Sequence, residues 1–286
     1  MRKRSFFYAA LVAALVPAAA QADAPVSVDL VCPVGGETFS HATMPYATSG
    51  ERPDGKPFGS GHLPPDLPIC PGNGLVMFQK DFAPEDKTAL ETLIADPGYK
   101  ALSGETSYYR AAWLMRRLNR DPQEIAATIL QASWQADGDS ARKRRYQTEY
   151  AALIEPLAAG RDDDLSMALI GRAANARREL GQFEAAAALL DALPLASLMV
   201  LVPAERRVGE SVINSTEIEA ARGKRRLYDY LTGLKDLVAT RNAGSEPLSL
   251  LPRQIATERC RDIATLSDDD RTYCAGDAMK APPANP

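Results

Sequence analysis

Two of the four cysteines open near-copies of one short sequence. Cys32 begins CPVGG and Cys70 begins CPGNG. A pair of thiolates spaced as C-x-x-C can hold one side of a tetrahedral zinc ion. Each copy has only its first cysteine, because Gly35 and Asn73 stand where the second thiol would be. The repeat therefore has the form of a metal-binding turn with half of its ligands.

This pattern resembles a bacterial family of unknown function. Its members have two zinc-ribbon turns of the form C-P-x-C-G, followed by helices similar to tetratricopeptide repeats. The likeness covers roughly residues 29–190 and is specific at the two turns. It implies a small ribbon-like head and then helical hairpins, and it implies no reaction.

On this resemblance, Cys32 and Cys70 are the two remaining ligands and face each other across the ribbon. We expect them to form a disulfide in an oxidising compartment, with no metal bound. The alternative is a metal site made by Cys32, His41, His62 and Cys70, since the only two histidines lie between these cysteines. Neither histidine has turn spacing to a cysteine, which favours the disulfide.

The other two cysteines, Cys260 and Cys274, are separated by 13 residues. This spacing suits a disulfide that joins the two arms of a short helical hairpin. The acidic triplet Asp268 to Asp270 lies between them. It lacks the alternating ligands and the glycine of a calcium loop, so we interpret it as the start of a helix. The sequence predicts no cofactor.

Common enzyme motifs are absent from the chain. It has no G-x-S-x-G, no H-E-x-x-H and no glycine-rich phosphate loop. A hydrolytic pair of carboxylates drawn from distant segments stays open, because acidic residues are plentiful and their positions in space are not visible in a sequence. The sequence therefore favours a role without catalysis.

The first 22 residues have the three zones of a secretory signal peptide. Arg2 to Arg4 are basic, Phe6 to Val16 are apolar, and Ala20-Gln21-Ala22 offers a cleavage site. The apolar run is shorter than the roughly 20 residues that span a bilayer, so we expect no membrane span in the mature chain. Removing three basic residues takes the formal net charge from -4 to -7, which does not favour nucleic acid. We predict a periplasmic or secreted protein.

The mature chain begins with a proline-rich and glycine-rich head, which we assign to residues 23–82. Two strands are predicted in it, one over Val26 to Cys32 and one formed by Ile69 with Leu75 to Phe78. A region of this size cannot be stable through a core alone, so a covalent link is expected. We interpret it as a degenerate zinc-ribbon-like domain.

Helical patterns begin after the head. We assign residues 83–240 to a domain of helical hairpins, 241–280 to a loop with short helices, and 281–286 to a disordered tail. Asp121 followed by Pro122 is a typical helix start. Tyr146, Tyr150 and Ile154 recur every four residues, which is the spacing of one buried helix face.

One hairpin resembles a tetratricopeptide unit. Its helices are predicted over 165–180 and 182–192, and Leu180 with Gly181 and Phe183 matches the turn of such a repeat. Ala186 would lie at the closest approach of the two helices. No regular 34-residue period extends beyond this hairpin.

These patterns predict a mainly α protein with a ribbon-like head. We expect a protein-binding or scaffolding module of the cell envelope, which holds another envelope protein on the concave surface of its helices. Two alternatives remain: a metal-handling protein that uses the four residues of the head, and a hydrolase with an unrecognised acidic site.

Overall fold

The computed structural model describes residues 25–59, 63–209, 211–276 and 279. The predicted signal peptide, His62 and the predicted tail lie outside these residues. The described chain is mainly helical, as predicted, with short strand hairpins near its N-terminal end. The α-helices are α1 Pro84–Leu93, α2 Pro97–Lys100, α3 Ser107–Arg117, α4 Pro122–Gln135, α5 Ser140–Ala158, α6 Asp164–Glu179, α7 Phe183–Asp191, α8 Ser215–Ala239, α9 Arg253–Arg259 and α10 Asp268–Ala275. The strands are β1 Val26–Val31, β2 Thr38–Thr43, β3 Thr48–Glu51, β4 Pro57–Gly59, β5 Arg207–Val208 and β6 Ser211–Val212.

The strands of the head form separate two-stranded hairpins, β1 with β2 and β3 with β4. The predicted first strand is confirmed as β1. The predicted second strand, formed by Ile69 with Leu75 to Phe78, is reduced to one isolated antiparallel bridge between Ile69 and Val76. Pro68 lacks the amide that a longer ladder needs at this point, while its carbonyl still accepts from the Met77 amide at 2.8 Å.

The head shares its core with the first helices. Cys32 and Cys70 are buried in one cluster with Leu90 of α1, Tyr99 of α2 and Leu114 of α3. The Tyr99 hydroxyl accepts from the Val76 amide at 3.1 Å and donates to the Gly74 carbonyl at 3.0 Å. Helices α1 to α3 therefore supply the apolar surface that the head itself lacks.

Helices α3 to α7 pack side by side in sequence order, each against the next. The predicted α5 face is confirmed: Tyr146, Tyr150 and Ile154 are buried against α4. Helix α8 packs on α6 and α7, and Gly171 permits the approach of α6 to α8. A Cβ at Gly171 would lie 2.6 Å from the Leu231 side chain, so a larger residue would force these helices apart. In the described residues, no helix has the length and apolar character to cross a bilayer.

Candidate functional site

The two cysteine turns of the head share one pattern of backbone hydrogen bonds. The amide of Cys32 donates to Glu37 and its carbonyl accepts from Gly36, while the amide of Cys70 donates to Leu75 and its carbonyl accepts from Gly74. The two cysteines are joined in a disulfide with a Cα–Cα distance of 5.7 Å. A second disulfide joins Cys260 and Cys274.

Asn73 lies beside the first disulfide, at the place predicted for a lost ligand. Its side-chain amide is 3.6 Å from the Cys32 sulfur and donates to the Val34 carbonyl at 2.8 Å. Its side-chain oxygen accepts from the Leu75 amide at 3.0 Å. Gly35 faces it, because a Cβ there would lie 3.8 Å from the Asn73 amide nitrogen. Hydrogen bonds from Asn73 thus link the two turns.

The four residues of the alternative metal site are not brought together in the described structure. Both cysteine sulfurs are bonded to each other, and His41 lies on β2 opposite Val28. The fourth member, His62, lies outside the described residues. Among the residues that the structure describes, no group of three or more histidine, cysteine or acidic side chains is arranged to hold a metal ion.

The hairpin of β3 and β4, residues 48–59, lies against one face of the helical body. We call it the head hairpin. The Lys56 ammonium donates to the Trp134 carbonyl in α4 at 3.1 Å. From α6, Arg172 donates to the Pro53 carbonyl at 2.7 Å, and from α8 the Tyr230 hydroxyl donates to the same carbonyl at 2.9 Å. Thus the head hairpin occupies part of the face formed by α4, α6 and α8.

Asp137, between α4 and α5, is the centre of the charges beneath this hairpin. Its carboxylate accepts from Arg52 at 2.8 Å, from Lys56 at 2.7 Å and from Lys143 at 2.7 Å. Burial raises the pKa of Asp137, but the hydrogen bonds from Lys143 and Lys56 outweigh it and hold the pKa well below its usual range. This carboxylate joins the head to the helices.

Two further carboxylates surround Lys143. Its ammonium lies 3.8 Å from Glu179 and 3.9 Å from the buried Asp54. Burial, and then the charge of Asp54, raise the pKa of Glu179. Carboxylates whose pKa values are pushed apart are typical of acid–base sites. Here both Glu179 oxygens already accept, from Asn175 at 2.8 Å and from Gln147 at 2.7 Å, so the geometry is that of an interface between head and helices.

Ser140 and Lys143 line a polar cavity of about 450 Å³ next to these charges. Their spacing is S-x-x-K, a pattern that serves as a nucleophile and a base in some acyl-transfer enzymes. Lys143 is bonded to Asp137, and three carboxylates surround its ammonium. It is therefore not placed to accept the serine proton, and the sequence motif does not form a dyad here.

A second cavity is apolar and open to solvent. It lies between the end of α5, the side of α6 and α7, and we call it the cleft. Its volume is about 590 Å³, and small or aliphatic side chains line most of it: Ala158, Ala159, Ile170, Ala185, Ala188, Leu189, Ala192, Leu193 and Pro194. On its rim Arg177 makes a two-pronged ion pair with Glu155, at 2.7 and 3.1 Å. Such a shape suits an apolar segment bordered by polar groups.

Two short basic runs, residues 142–145 and 224–226, have partners within the chain. Arg145 bonds Glu105 at 2.6 Å, and its guanidinium lies over the ring of Tyr109. Lys224 of α8 bonds Asp164 at the start of α6 at 2.9 Å. These side chains are engaged within the chain.

Comparison of the chain with protein-family models, with curated proteins and with solved structures finds no match.

The sequence analysis predicted neither the contact of the head hairpin with the helices nor the cleft. A signal for the head hairpin was present, since Arg52-Pro53-Asp54-Gly55-Lys56 has the x-P-D-G-x form of a tight turn. Gly55 has a φ of 86°, as such turns require. The sequence has no comparable signal for the cleft. Its alanines lie on helices, where alanine is a common helix former and does not indicate a cavity.

Proposed function

We propose that the chain is an exported protein-binding or scaffolding module of the cell envelope, and that the cleft is its binding site. Export is supported by the leader pattern and by two disulfides, which persist in oxidising compartments. The head hairpin occupies part of the face formed by α4, α6 and α8. We therefore assign the binding surface to the other side of α6, where the cleft lies between α5 and α7.

We also propose that the chain is a divergent relative of the ribbon-headed bacterial family. The matching hydrogen bonds of the two cysteine turns support this. A tetratricopeptide-like packing of α6 and α7 is part of the same proposal. It is supported by Gly181, whose φ is 77° in the connecting turn, and by Ala186, which is fully buried.

The observation that carries the function is the composition of the cleft. Ala185 and Ala188 of α7, and Ala192 directly after it, are exposed there, so the side chains that border it are short. Exposed small residues beside Ile170 and Leu189 leave space that an apolar side chain of a partner can fill. The ion pair of Arg177 with Glu155 gives the polar border that is typical of protein interfaces.

A blocking substitution tests this role. Ala188→Trp fills the cleft from an exposed position, and Ala152→Trp is the matched control on an exposed face of α5 outside it. The mature chain and both variants are used to capture envelope proteins, and captured proteins are identified, purified and titrated by calorimetry. We expect Ala188→Trp to raise the Kd of a partner at least roughly tenfold and Ala152→Trp to leave it unchanged. Equal affinity for both variants contradicts the proposal.

A further inference from the structure

A row of apolar side chains is exposed between α7 and α8. Leu201 is 94% exposed, Met199 is 65% exposed and Val202 is 44% exposed, whereas Leu198 immediately before them is fully buried. We call residues 199–202 the exposed segment. Single exposed apolar residues are ordinary, but a contiguous row of them marks an interaction surface.

The chain that follows the exposed segment is held in a defined conformation. Asn214, which is 3% exposed, accepts from the Arg206 amide at 2.8 Å and donates to the Ala204 carbonyl at 3.0 Å. The Ile213 amide donates to the Arg206 carbonyl at 2.9 Å. This frame fixes the chain just after the segment, and so limits the freedom that the segment loses when it binds.

The cleft and the exposed segment adjoin along the chain, since the cleft lining ends at Pro194 and the segment begins at Met199. One feature is an apolar space lined by short side chains, and the other is a row of apolar side chains that no described residue covers. A chain that carries both an exposed apolar patch and an apolar pocket can associate with its own copies.

The charges around the two features also fit each other. Asp162 lies on the rim of the cleft and has no ion-pair partner within the described part of the chain. Two arginines, Arg206 and Arg207, follow the exposed segment, and their partners Glu217 and Glu205 are on the surface. The Arg206–Glu217 pair is exposed, and such pairs contribute little to stability. Arg206 can therefore turn toward Asp162 when the segment lies in the cleft of another copy, in a protein whose net negative charge otherwise keeps copies apart.

A lipid surface fits the exposed segment less well. No backbone hydrogen bond is made by the amides of Leu201 and Val202 within the described residues. Unpaired amides are costly in hydrocarbon, whereas a protein cleft with a polar rim can leave them in contact with water.

We propose that the exposed segment of one copy occupies the cleft of a second copy, and that the second copy returns the contact to form a two-fold dimer. This inference rests on the proposed role of the cleft as a binding site, and it identifies the exposed segment of a second copy as what binds there. A foreign partner that uses the cleft then competes with dimer formation.

Sedimentation equilibrium of the purified mature chain tests the dimer. Leu201→Glu removes the apolar side chain at a position where folding does not depend on it, and Ala188→Trp blocks the cleft. Ile263→Glu is the control for the first, since Ile263 is 53% exposed elsewhere on the surface, and Ala152→Trp is the control for the second. We expect Leu201→Glu and Ala188→Trp each to raise the dimer dissociation constant at least roughly tenfold, and the controls to leave it unchanged.

A mixture of the two variants gives the sharper result. Leu201→Glu keeps an open cleft and Ala188→Trp keeps an intact segment, so a mixed pair regains one of the two contacts. We expect the mixture to associate more strongly than either variant alone and more weakly than the unaltered chain. A monomer at every soluble concentration, a dimer that persists in both variants, or a mixture that gains nothing overturns the proposal. Segment-dependent binding to phosphatidylglycerol vesicles by a monomer also overturns it.

The experiments distinguish failure of the dimer proposal from failure of the proposed function. A monomeric chain whose captured envelope partner is lost in Ala188→Trp retains the function and loses the dimer. A chain that dimerises through the cleft and captures no other protein retains the dimer and loses the scaffolding role.

Discussion

The side-chain amide of Asn73 lies 3.6 Å from the sulfur of Cys32, beside the disulfide that joins the two turns of the head. In the family that the head resembles, a thiolate would occupy this position. Asn73 instead bonds the opposite turn through Val34 and its own turn through Leu75. An amide therefore connects the two turns where a metal would otherwise connect them.

Substitution of Asn73 tests this connection. Asn73→Ala removes both hydrogen bonds at a half-buried position and is expected to lower the free energy of unfolding by about 1–3 kcal/mol. Asn73→Asp keeps the acceptor for the Leu75 amide but removes the donor to Val34, and also places a carboxylate beside that carbonyl. We expect urea denaturation to show both variants as destabilised, with unfolding midpoints below that of the unaltered chain. An unchanged midpoint for Asn73→Ala would show that the turns hold together without it.

The two disulfides are expected to differ in their contribution to stability. The Cys32–Cys70 bond has a sequence separation of 38 and the Cys260–Cys274 bond has one of 14. On the chain-entropy model these loops correspond to about 4 and about 3 kcal/mol. Paired serine substitutions, compared by urea denaturation under oxidising conditions, should therefore cost more in the head than in the C-terminal hairpin. The head pair is also buried, so the reverse order would contradict the entropic account.

The parts of the fold that the sequence predicted depend on local patterns. The stripe of Tyr146, Tyr150 and Ile154 lies on a single helix, so its spacing alone predicts which face is buried. The head hairpin depends on partners far along the chain: Arg172 lies 119 residues from Pro53, and Tyr230 lies 177 residues from it. Neither contact produces a repeating pattern in the sequence. The sequence does not predict the cleft for the same reason, because the cleft is a space between separate helices.

Helix α7 provides a matched pair of alanines. Ala186 is fully buried and Ala188 is exposed two positions later. Ala186→Leu should overpack the contact of α7 with its neighbours and lower the free energy of unfolding by about 1–3 kcal/mol. Ala188→Leu should change it by less than about 0.5 kcal/mol, as is usual for surface positions. Thermal or urea unfolding of the two variants checks the difference, and equal stabilities would place Ala186 away from the closest helix approach.

Acid should weaken the joint between the head hairpin and the helices through Asp137. The folded-state pKa of Asp137 lies below its usual range because Lys143 and Lys56 bond the ionised form despite its burial. An acid with a lowered pKa stabilises the fold above its unfolded pKa of about 3.9, and this contribution is lost as the pH falls through the folded value. Glu179 acts in the opposite sense because its pKa is raised, so the informative quantity is a difference between variants. We expect the unfolding free energy of the unaltered chain to exceed that of Asp137→Asn at pH 7. This difference in unfolding free energy should narrow below about pH 4, where Asp137 takes up a proton in the unfolded chain before it does so in the folded one. A gap that stays constant from pH 7 to pH 2 would show that the charge of Asp137 does not hold the hairpin in place.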